Sequence, residues 1–231
     1  MAKVFLGVGH GGKDPGAVGN GFHEADLNLA IALACRDELV RHGVTVGMSR
    51  TTDEYDPVSD EAKECNAFMP DLGLDIHCNA SGSGNGDGAE VFYHYNGGTG
   101  KKLAENVLAE IVKIGQNSRG AKTRRRSDGK DWYYFIRETA CPAVVVECAF
   151  IDNATDIKII DTAAEQKAFG IAIAKGVLTT LGIAYVEKAE EKKTRYLVRI
   201  SREFGGRASA ELMKKKLQAA GFDAIVVRTD T

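Results

Sequence analysis

The chain has 231 residues, of which 44% are hydrophobic and 27% are charged. These are ordinary values for a soluble protein with a packed core, and they exclude a disordered or fibrous chain. Since 30 basic residues stand against 32 acidic ones, the formal net charge is −2, and the chain lacks the overall positive field typical of a dedicated nucleic-acid binder.

Short apolar runs alternate with amphipathic segments along most of the chain. Hydrophobic periodicity predicts strands at residues 4–8, 44–48, 72–77, 90–95 and 143–147. It predicts helices at residues 27–40, 61–68, 102–114 and 163–181. Strands that alternate with helices in this way predict an α/β fold, with a mostly parallel twisted sheet flanked by helices on both faces.

The composition changes towards the C-terminus. Residues 185–194 read YVEKAEEKKT, a polar and charged stretch that is typical of a linker. A strand at 196–200, a helix at 209–220 and a strand at 224–228 then predict a small β-α-β unit, which is too short to bury a core of its own. The predicted organisation is a main domain over residues 1–183, a linker over 184–194 and a small unit over 195–231.

No apolar run approaches the roughly 20 residues that a membrane span needs. The N-terminus, MAKVFLGVGH, lacks the long apolar region and cleavage site of a secretory signal, so we expect synthesis in the cytoplasm without membrane insertion. The five cysteines include no C-x-x-C pair and are expected to be reduced thiols packed as small hydrophobic side chains. Two of them, Cys78 and Cys148, are expected to face the core just beyond the ends of strands.

A glycine-rich loop follows the first predicted strand. Gly7, Gly9 and Gly12 match the G-x-G-x-x-G fingerprint of dinucleotide-binding loops, and Lys13 brings the segment close to a P-loop. Both motifs need a helix to begin at the last glycine, whereas Pro15 and further glycines keep the chain irregular to about residue 24. Nucleotide binding through Gly7–Gly12 is therefore the alternative function of a different class, and a purely structural turn is the other interpretation.

Polar side chains that can bind metals lie at the ends of several predicted strands. His10 follows the first strand, His77 ends the third and Glu147 ends the fifth, which places them at the edge where open α/β sheets bind ligands. Glu24 joins them from the first turn of the following helix. Two histidines and a carboxylate with an open fourth position form a catalytic zinc set, and a further carboxylate supplies a base.

Four separated segments of the chain read GHGGKDPGAVGNGFHEADLNLAIA, SRTTD, DIHCNA and YFIRETACPAVVVECAFIDN. In these segments and in their order over residues 3–182, the chain resembles zinc-dependent N-acetylmuramoyl-L-alanine amidases of the amidase-3 type. The resemblance implies that His10, Glu24 and His77 bind one zinc ion. It also implies that Glu147 is the catalytic carboxylate and that Asn79 lines the substrate-binding site.

The sequence departs from the family pattern close to these residues. The family usually has an arginine near position 61 and a serine near position 75, where this chain has Glu61 and Asp75. The paired Ala-Asn of the family begins here with Cys65. His23 competes with Glu24 as a ligand, and the family pattern favours the glutamate.

The reaction that the resemblance implies is hydrolysis of the amide between N-acetylmuramic acid and L-alanine of the stem peptide, with peptidoglycan as the partner molecule. Zinc lowers the pKa of its bound water to about 7, so that water can attack the amide. The predicted setting is a phage or prophage endolysin that a holin releases. The alternative is a sporulation autolysin that acts on the wall when the mother cell lyses.

The C-terminal unit resembles half of a sporulation-related (SPOR) peptidoglycan-binding repeat. The segment RYLVRISREFGGRASAELMKKKLQAAGFDAIVV contains one β-α-β copy, whereas a full domain of that type contains two. We expect this unit either to bind the cell wall through a homodimer or to be vestigial.

A basic run over residues 122–130, KTRRRSDGK, precedes three aromatic residues, Trp132, Tyr133 and Tyr134. The run is interpreted as a solvated loop, with contact to an anionic wall polymer and contact to nucleic acid as the alternatives. The aromatic residues either pack in the core or line a groove, and the sequence leaves both interpretations open.

Overall fold

The computed structural model describes residues 1–187 and 206–221. The chain divides into two compact units, residues 1–187 and residues 188–231. The strands of the first unit are β1 (Lys3–Val8), β2 (Val18–Gly19), β3 (Phe22–His23), β4 (Thr45–Met48), β5 (Leu72–Asn79), β6 (Ala89–Tyr93), β7 (Ser118–Lys122) and β8 (Ala143–Phe150). Its α-helices are α1 (Glu24–Arg41), α2 (Val58–Phe68), α3 (Gly98–Lys113), α4 (Tyr134–Glu138) and α5 (Ala163–Leu181).

Six of the strands form one sheet in the order β4-β1-β5-β8-β6-β7. Strands β4, β1, β5 and β8 are mutually parallel, whereas β6 runs antiparallel to β8 and parallel to β7. The predicted α/β fold with a mostly parallel sheet is therefore confirmed. The carboxyl ends of β1, β5 and β8 meet at one edge, and this edge positions the site described below.

Side chains alternate between the two faces of the sheet. One face packs under α1, α3 and α5, and its core includes Ile76, Cys78 and Cys148. The opposite face carries smaller clusters around Phe5 and Phe135, which involve α2 and α4. Helices thus cover both faces, and the prediction that Cys78 and Cys148 pack in the core is confirmed. All five cysteines are free thiols.

The sequence prediction missed several short elements of the first unit, among them the two-residue strands β2 and β3, strand β7 and helix α4. Strand β7 reads SRGAK, without apolar alternation, because it lies at the edge of the sheet and is held by backbone pairing with β6. Helix α4 has only 5 residues, which is too short for hydrophobic periodicity to reveal.

In the second unit the predicted helix at 209–220 corresponds to α6 (Arg207–Ala219). The predicted strands at 196–200 and 224–228 lie outside the described residues. Among the helices that the structure describes, none is long and apolar enough to cross a bilayer.

Helix α5 packs closely against its neighbours at two glycines. A Cβ atom added to Gly170 would lie 2.5 Å from the carbonyl oxygen of Ile31 in α1, and one added to Gly176 would lie 2.5 Å from the Cα atom of Val107 in α3. Both obstacles are backbone atoms, which cannot move aside unless the helices separate. These glycines therefore set the distance between the helices of the larger core.

Replacing Gly176 by alanine is expected to lower the free energy of unfolding by about 1–3 kcal/mol, because the added methyl group forces α5 away from α3. Gly100→Ala in α3 is the matched control, since the nearest atom to its added Cβ would lie 3.6 Å away. Urea unfolding of both variants measures the difference. An undiminished stability of Gly176→Ala would show that the helices can separate without cost.

Candidate metal centre and active site

His10 lies directly after β1, in a left-handed backbone conformation with φ of 65°. Its Nδ1 atom lies 2.9 Å from Asp14 Oδ2, and its Nε2 atom lies 3.3 Å from Glu24 Oε2. A tight turn holds Asp14 in place, because Gly11 and Asp14 exchange backbone hydrogen bonds of 2.8 and 3.0 Å. The pKa of His10 is raised, chiefly by its hydrogen bond to Glu24. Asp14 thus orients the ring so that Nε2 faces Glu24.

Glu24 is the first residue of α1 and is almost fully buried. Its Oε1 accepts a hydrogen bond of 3.1 Å from the backbone N–H of Cys78, and its Oε2 accepts one of 2.9 Å from the N–H of Ala17. Burial raises its pKa, but the hydrogen bonds and charges of His10 and His77 outweigh burial and hold the pKa well below the usual range. The carboxylate is therefore ionised and fixed from several sides.

His77 lies near the end of β5, and both of its ring nitrogens have acidic partners. Nδ1 lies 2.9 Å from Glu24 Oε1, and Nε2 lies 3.2 Å from Asp75 Oδ2. Burial lowers the pKa of His77, but the charge of Asp75 and the contacts with Glu24 raise it well above its ordinary value. The ring also packs on the bare backbone of Gly9, where an added Cβ would lie within 2.6 Å of Nδ1.

The structure brings His10, Glu24 and His77 together. Each offers one ligand atom, and these atoms all lie within 4.8 Å of one another. The two imidazole rings meet edge to face at 85°, with their centroids 5.2 Å apart. His23, the competing ligand, is instead 55% exposed and lies 3.7 Å from Asp26. Imidazole nitrogens and a carboxylate oxygen are the donors that zinc prefers in catalytic sites.

Glu147 lies on β8 directly beside His77, since these two residues are partners in the register of β5 and β8. Its side chain is buried, and its Oε2 atom has no hydrogen-bond partner among the described residues. Burial raises the pKa of Glu147 from 4.5 to about 7, while the positive charge of His77 opposes the shift. A carboxyl group with such a pKa can both accept and release a proton near neutral pH.

A pocket of about 410 Å³ opens beside the cluster, on the side of the sheet that carries α2 and α4. It is lined by Gly9, His77 and Val145, by residues 55–58 and by residues 132–135. The three aromatic residues that sequence left unassigned therefore line a pocket, and Trp132 is 49% exposed at its rim. Tyr133 also packs against Phe92, with ring centroids 4.6 Å apart.

The two departures from the family pattern, Glu61 and Asp75, also line this pocket and are buried. Burial, together with the charge of Asp75, raises the pKa of Glu61 to about 9, so Glu61 is protonated at neutral pH. Its Oε1 atom accepts a hydrogen bond of 3.2 Å from the Ser49 hydroxyl. One oxygen of Asp75 contacts His77, and the other has no partner among the described residues.

The sequence analysis missed Asp14 and Asp75 as partners of the two histidines. Of these two residues, Asp75 has a spacing that could have revealed its contact. Asp75 lies two residues before His77 on a strand, and residues at that spacing share a face of the sheet. Asp14 lies four residues after His10 in an irregular loop, where spacing alone predicts no contact.

Asn79 lies at the end of β5, and its side chain is already engaged. Its Nδ2 atom donates a hydrogen bond of 2.8 Å to Glu90 Oε1. Glu90 in turn forms ion pairs with Arg119, at 3.1 Å, and with Lys122. The structure therefore joins Asn79 to a charged network rather than to the three-ligand cluster, and its role in substrate binding stays a prediction.

The glycine-rich loop does not form a phosphate-binding site of either predicted kind. Both motifs place a helix N-terminus at Gly12, but the next helix, α1, begins at Glu24. The residue at that N-terminus is an ionised carboxylate, which would repel a phosphate. The structure therefore disfavours nucleotide binding through this loop.

Comparison with known proteins identifies the family. The Amidase_3 family, described as N-acetylmuramoyl-L-alanine amidase, matches residues 4–179. The chain belongs to this amidase family. Curated relatives and solved structures of the same description agree that the chain is a peptidoglycan amidase, an N-acetylmuramoyl-L-alanine amidase.

Three similar proteins illustrate how far the likeness of this amidase extends. A sporulation-specific N-acetylmuramoyl-L-alanine amidase of Bacillus subtilis (strain 168) is 33% identical over 100% of this chain and 86% of its own length. The endolysin of Bacillus phage SPP1 is 34% identical over 74% of this chain and 66% of its own length. The catalytic domain of CwlV, an amidase from Bacillus (Paenibacillus) polymyxa var. colistinus, is 27% identical with a TM-score of 0.72, over 80% of this chain and 100% of that domain.

Proposed function

We propose that the amidase hydrolyses the bond between the lactyl group of N-acetylmuramic acid and L-alanine of the stem peptide, with zinc held by His10, Glu24 and His77. The observation that carries this proposal is the convergence of three donor atoms within 4.8 Å of one another, beside the buried carboxyl group of Glu147. Such a set leaves an open coordination position for catalysis.

The residues of the site fit a zinc ion. The donors are two imidazoles and one ionised carboxylate, and Asp14 and Asp75 accept from the remaining ring nitrogens, as carboxylates do in many zinc sites. The unpartnered Oε2 atom of Glu147 is available to a water molecule. A zinc ion bound there would supply a Lewis acid that polarises the amide carbonyl and acidifies the attacking water.

Glu147 is the group that moves the proton. In its ionised form the carboxylate takes a proton from the attacking water as the new C–O bond forms, and it then passes that proton to the departing nitrogen of L-alanine. The C–N bond breaks, and the products are the lactyl carboxylate and a free amine. Because burial keeps its pKa near 7, Glu147 can perform both transfers.

Removal of the metal is expected to abolish hydrolysis, because the three donors alone do not polarise the substrate. The measurement is the release of free L-alanine amino groups from purified cell walls, by protein treated with a chelator and then by the same protein after zinc is added back. Metal analysis should give one zinc per chain. Full activity in protein that contains no metal would contradict the proposal.

The same reaction would take place in both of the predicted biological settings. The endolysin setting stays a prediction, supported by the likeness to the SPP1 endolysin over 74% of this chain. The alternative, an autolysin of the sporulating mother cell, is favoured by the sporulation-specific relative, because that alignment extends over the whole chain, including residues 195–231. A sporulation-controlled promoter or a neighbouring holin gene would distinguish the two settings.

The role expected of the C-terminal unit from its sequence remains a proposal. Residues 195–231 would add cell-wall affinity through a homodimer, and the alternative is that the unit is vestigial. The likeness of the whole chain to the sporulation-specific relative supports a shared plan for this segment.

A further inference from the structure

Two of the five free thiols lie in contact with each other. The sulfur atoms of Cys65, on α2, and Cys141, in the segment between α4 and β8, are 3.9 Å apart. Both lie over the bare backbone of Gly73 in β5, since a Cβ added there would be 3.1 Å from the Cys141 sulfur and 3.4 Å from the Cys65 sulfur. Two residues that are 76 positions apart in sequence thus direct their sulfur atoms to one place.

Hydrogen bonds from neighbouring residues hold the backbones of the two cysteines together. The Asn66 side chain donates through Nδ2 to the carbonyl oxygen of Glu138 at 2.8 Å, and its Oδ1 accepts from the N–H of Ala140 at 2.7 Å. Beyond the second cysteine, the carbonyl oxygen of Pro142 accepts from the N–H of Gly73 at 3.0 Å. A disulfide bond is about 2 Å long, so closing the gap requires rotation of two side chains whose backbones are already in position.

The two thiols differ in how easily a reagent in solution reaches them. Among the five cysteines, all of which the structure describes, only Cys141 is partly exposed. Cys65 is wholly buried beneath it. The other three, Cys35, Cys78 and Cys148, are buried in the core on the opposite face of the sheet. A small reagent therefore reaches Cys141 first, and the nearest thiol that can follow is Cys65.

The hydrogen bond between the two thiols also divides their roles. It lowers the pKa of Cys141, although burial opposes this, and together with burial it raises the pKa of Cys65. The thiolate is the form that attacks a disulfide. Cys141 is therefore the attacking thiol, and Cys65 is placed to complete the exchange.

A bond between these cysteines would join two segments that line the active-site pocket. Glu61 lies one turn before Cys65 on α2, and Tyr134 and Phe135 lie on α4, shortly before Cys141; all three of these lining residues belong to the pocket. Neither cysteine lines the pocket itself. The cross-link would thus fix two sides of the pocket without using any candidate metal ligand.

We propose that Cys65 and Cys141 form an intramolecular disulfide when the amidase meets the oxidising surroundings of the cell wall. Peptidoglycan lies outside the cytoplasmic membrane, where thiols are no longer kept reduced. The cross-link holds α2 to the segment that follows α4 at the place where the enzyme works. It adds a modification site that the amidase reaction does not require.

The oxidant is a small-molecule disulfide, and the bond forms by two exchanges. The Cys141 thiolate attacks one sulfur atom of the small disulfide and expels a thiolate, which leaves a mixed disulfide on Cys141. The expelled thiolate takes the proton of Cys65. The Cys65 thiolate then attacks the Cys141 sulfur and expels the second half of the reagent, which takes a proton from water. The reagent is reduced to two thiols, and the protein loses two hydrogen atoms.

The first test maps the thiols of the full-length protein after treatment with oxidised glutathione. Remaining thiols are alkylated in denaturant, and the digest is analysed by mass spectrometry without reduction. We expect one linked pair of peptides that contains Cys65 and Cys141, with the other three cysteines alkylated. Glutathione that stays on Cys141, a disulfide between two chains, or five alkylated cysteines would each overturn the proposal.

The second test is thermal melting of the oxidised protein and of the same protein after reduction with dithiothreitol. Oxidation is expected to raise Tm by about 5–10 °C, because the bond closes a long loop in the unfolded chain. Release of amino groups from purified walls should proceed at the same rate before and after oxidation. An oxidised Tm equal to or below the reduced value would show that the two cysteines do not fit a disulfide.

Two variants assign the effect to this pair of cysteines. Cys65→Ala introduces the residue that the family usually has, and Cys141→Ser removes the attacking thiol. In both variants the difference between the oxidised and reduced Tm should vanish, and in Cys65→Ala glutathione should remain on Cys141 because no second thiol displaces it. Each variant is compared with its own reduced form, so that a general loss of stability cancels.

Cys35→Ala is the matched control, because it removes a buried cysteine of α1 that lies in the other core. It should keep both the linked peptides and the rise in Tm. A rise in Tm that persists in Cys65→Ala would mean that oxidation acts elsewhere, and the proposal would fail. Peptide mapping and melting do not require hydrolysis, so their outcome is independent of the proposed reaction.

Discussion

Replacing Glu147 by glutamine is expected to lower kcat by about 10²–10⁴-fold, the usual effect of removing a general base. The amide fills the same space but cannot take a proton from water. Zinc should remain bound in a 1:1 ratio, because the proposed ligands His10, Glu24 and His77 are all retained. Amine release from purified walls and metal analysis of the same sample measure the two effects.

The control for this substitution is Glu105→Gln on α3, an exposed glutamate that forms an ion pair with Lys101 at 3.7 Å. It should leave both turnover and zinc content unchanged. Retention of near wild-type kcat in Glu147→Gln would mean that another group moves the proton.

The same substitution should change how the stability of the metal-free protein depends on pH. The pKa of Glu147 is about 7 in the folded chain against an ordinary value of 4.5, so between these values the folded state holds a proton that the unfolded state has lost. The free energy of unfolding therefore falls as pH rises through this window, by up to about 3 kcal/mol, and is level above it. Glutamine does not ionise in this range, so Glu147→Gln removes this pH-dependent fall in the free energy of unfolding. Urea unfolding at pH 5 and pH 8 should show that the advantage of Glu147→Gln is larger at pH 8.

Replacing Gly9 by alanine is expected to weaken zinc binding by about 10–100-fold, an effect as large as that of losing an outer-shell partner of a ligand. The added Cβ would lie within 2.6 Å of Nδ1 of His77, so the ring must rotate or shift away from Glu24. No metal donor is removed. Competition with a chromophoric chelator measures the zinc affinity, and excess zinc should restore part of the activity.

Gly100→Ala again serves as the control, because the same chemical change there meets its nearest atom at 3.6 Å. Its zinc affinity should equal that of the wild type. A Gly9→Ala protein that binds zinc as tightly as the wild type would show that the position of His77 does not depend on this glycine.

Much of the fold follows from residue patterns alone. The strand at 72–77 was predicted from its alternating apolar residues and the helix at 163–181 from its long apolar sequence, and the observed elements are β5 (Leu72–Asn79) and α5 (Ala163–Leu181). The antiparallel direction of β6 could not be predicted, since the pattern of apolar residues in a strand is the same whether its neighbours run parallel or antiparallel to it. The direction of β6 depends on its pairing with β8.

The convergence of the candidate site residues could also be predicted from the sequence. His10, His77 and Glu147 were placed at one edge of the sheet because parallel strands bring their carboxyl ends together. The burial of Glu61 could not be foreseen, because a glutamate on a short helix is normally exposed. Here Glu61 lines the pocket and is protonated, because burial and, after it, the charge of Asp75 raise its pKa to about 9.

The origin of the three candidate ligands along the chain has a consequence for assembly of the enzyme. Glu24 and His77 lie 53 residues apart in sequence, and His77 reaches its place only when β5 pairs with β1. A partly folded chain offers at most two neighbouring donors, so high metal affinity should emerge together with the sheet. If the site binds zinc as proposed, zinc uptake requires the paired sheet, and the amidase gains activity only after this part of the fold has formed.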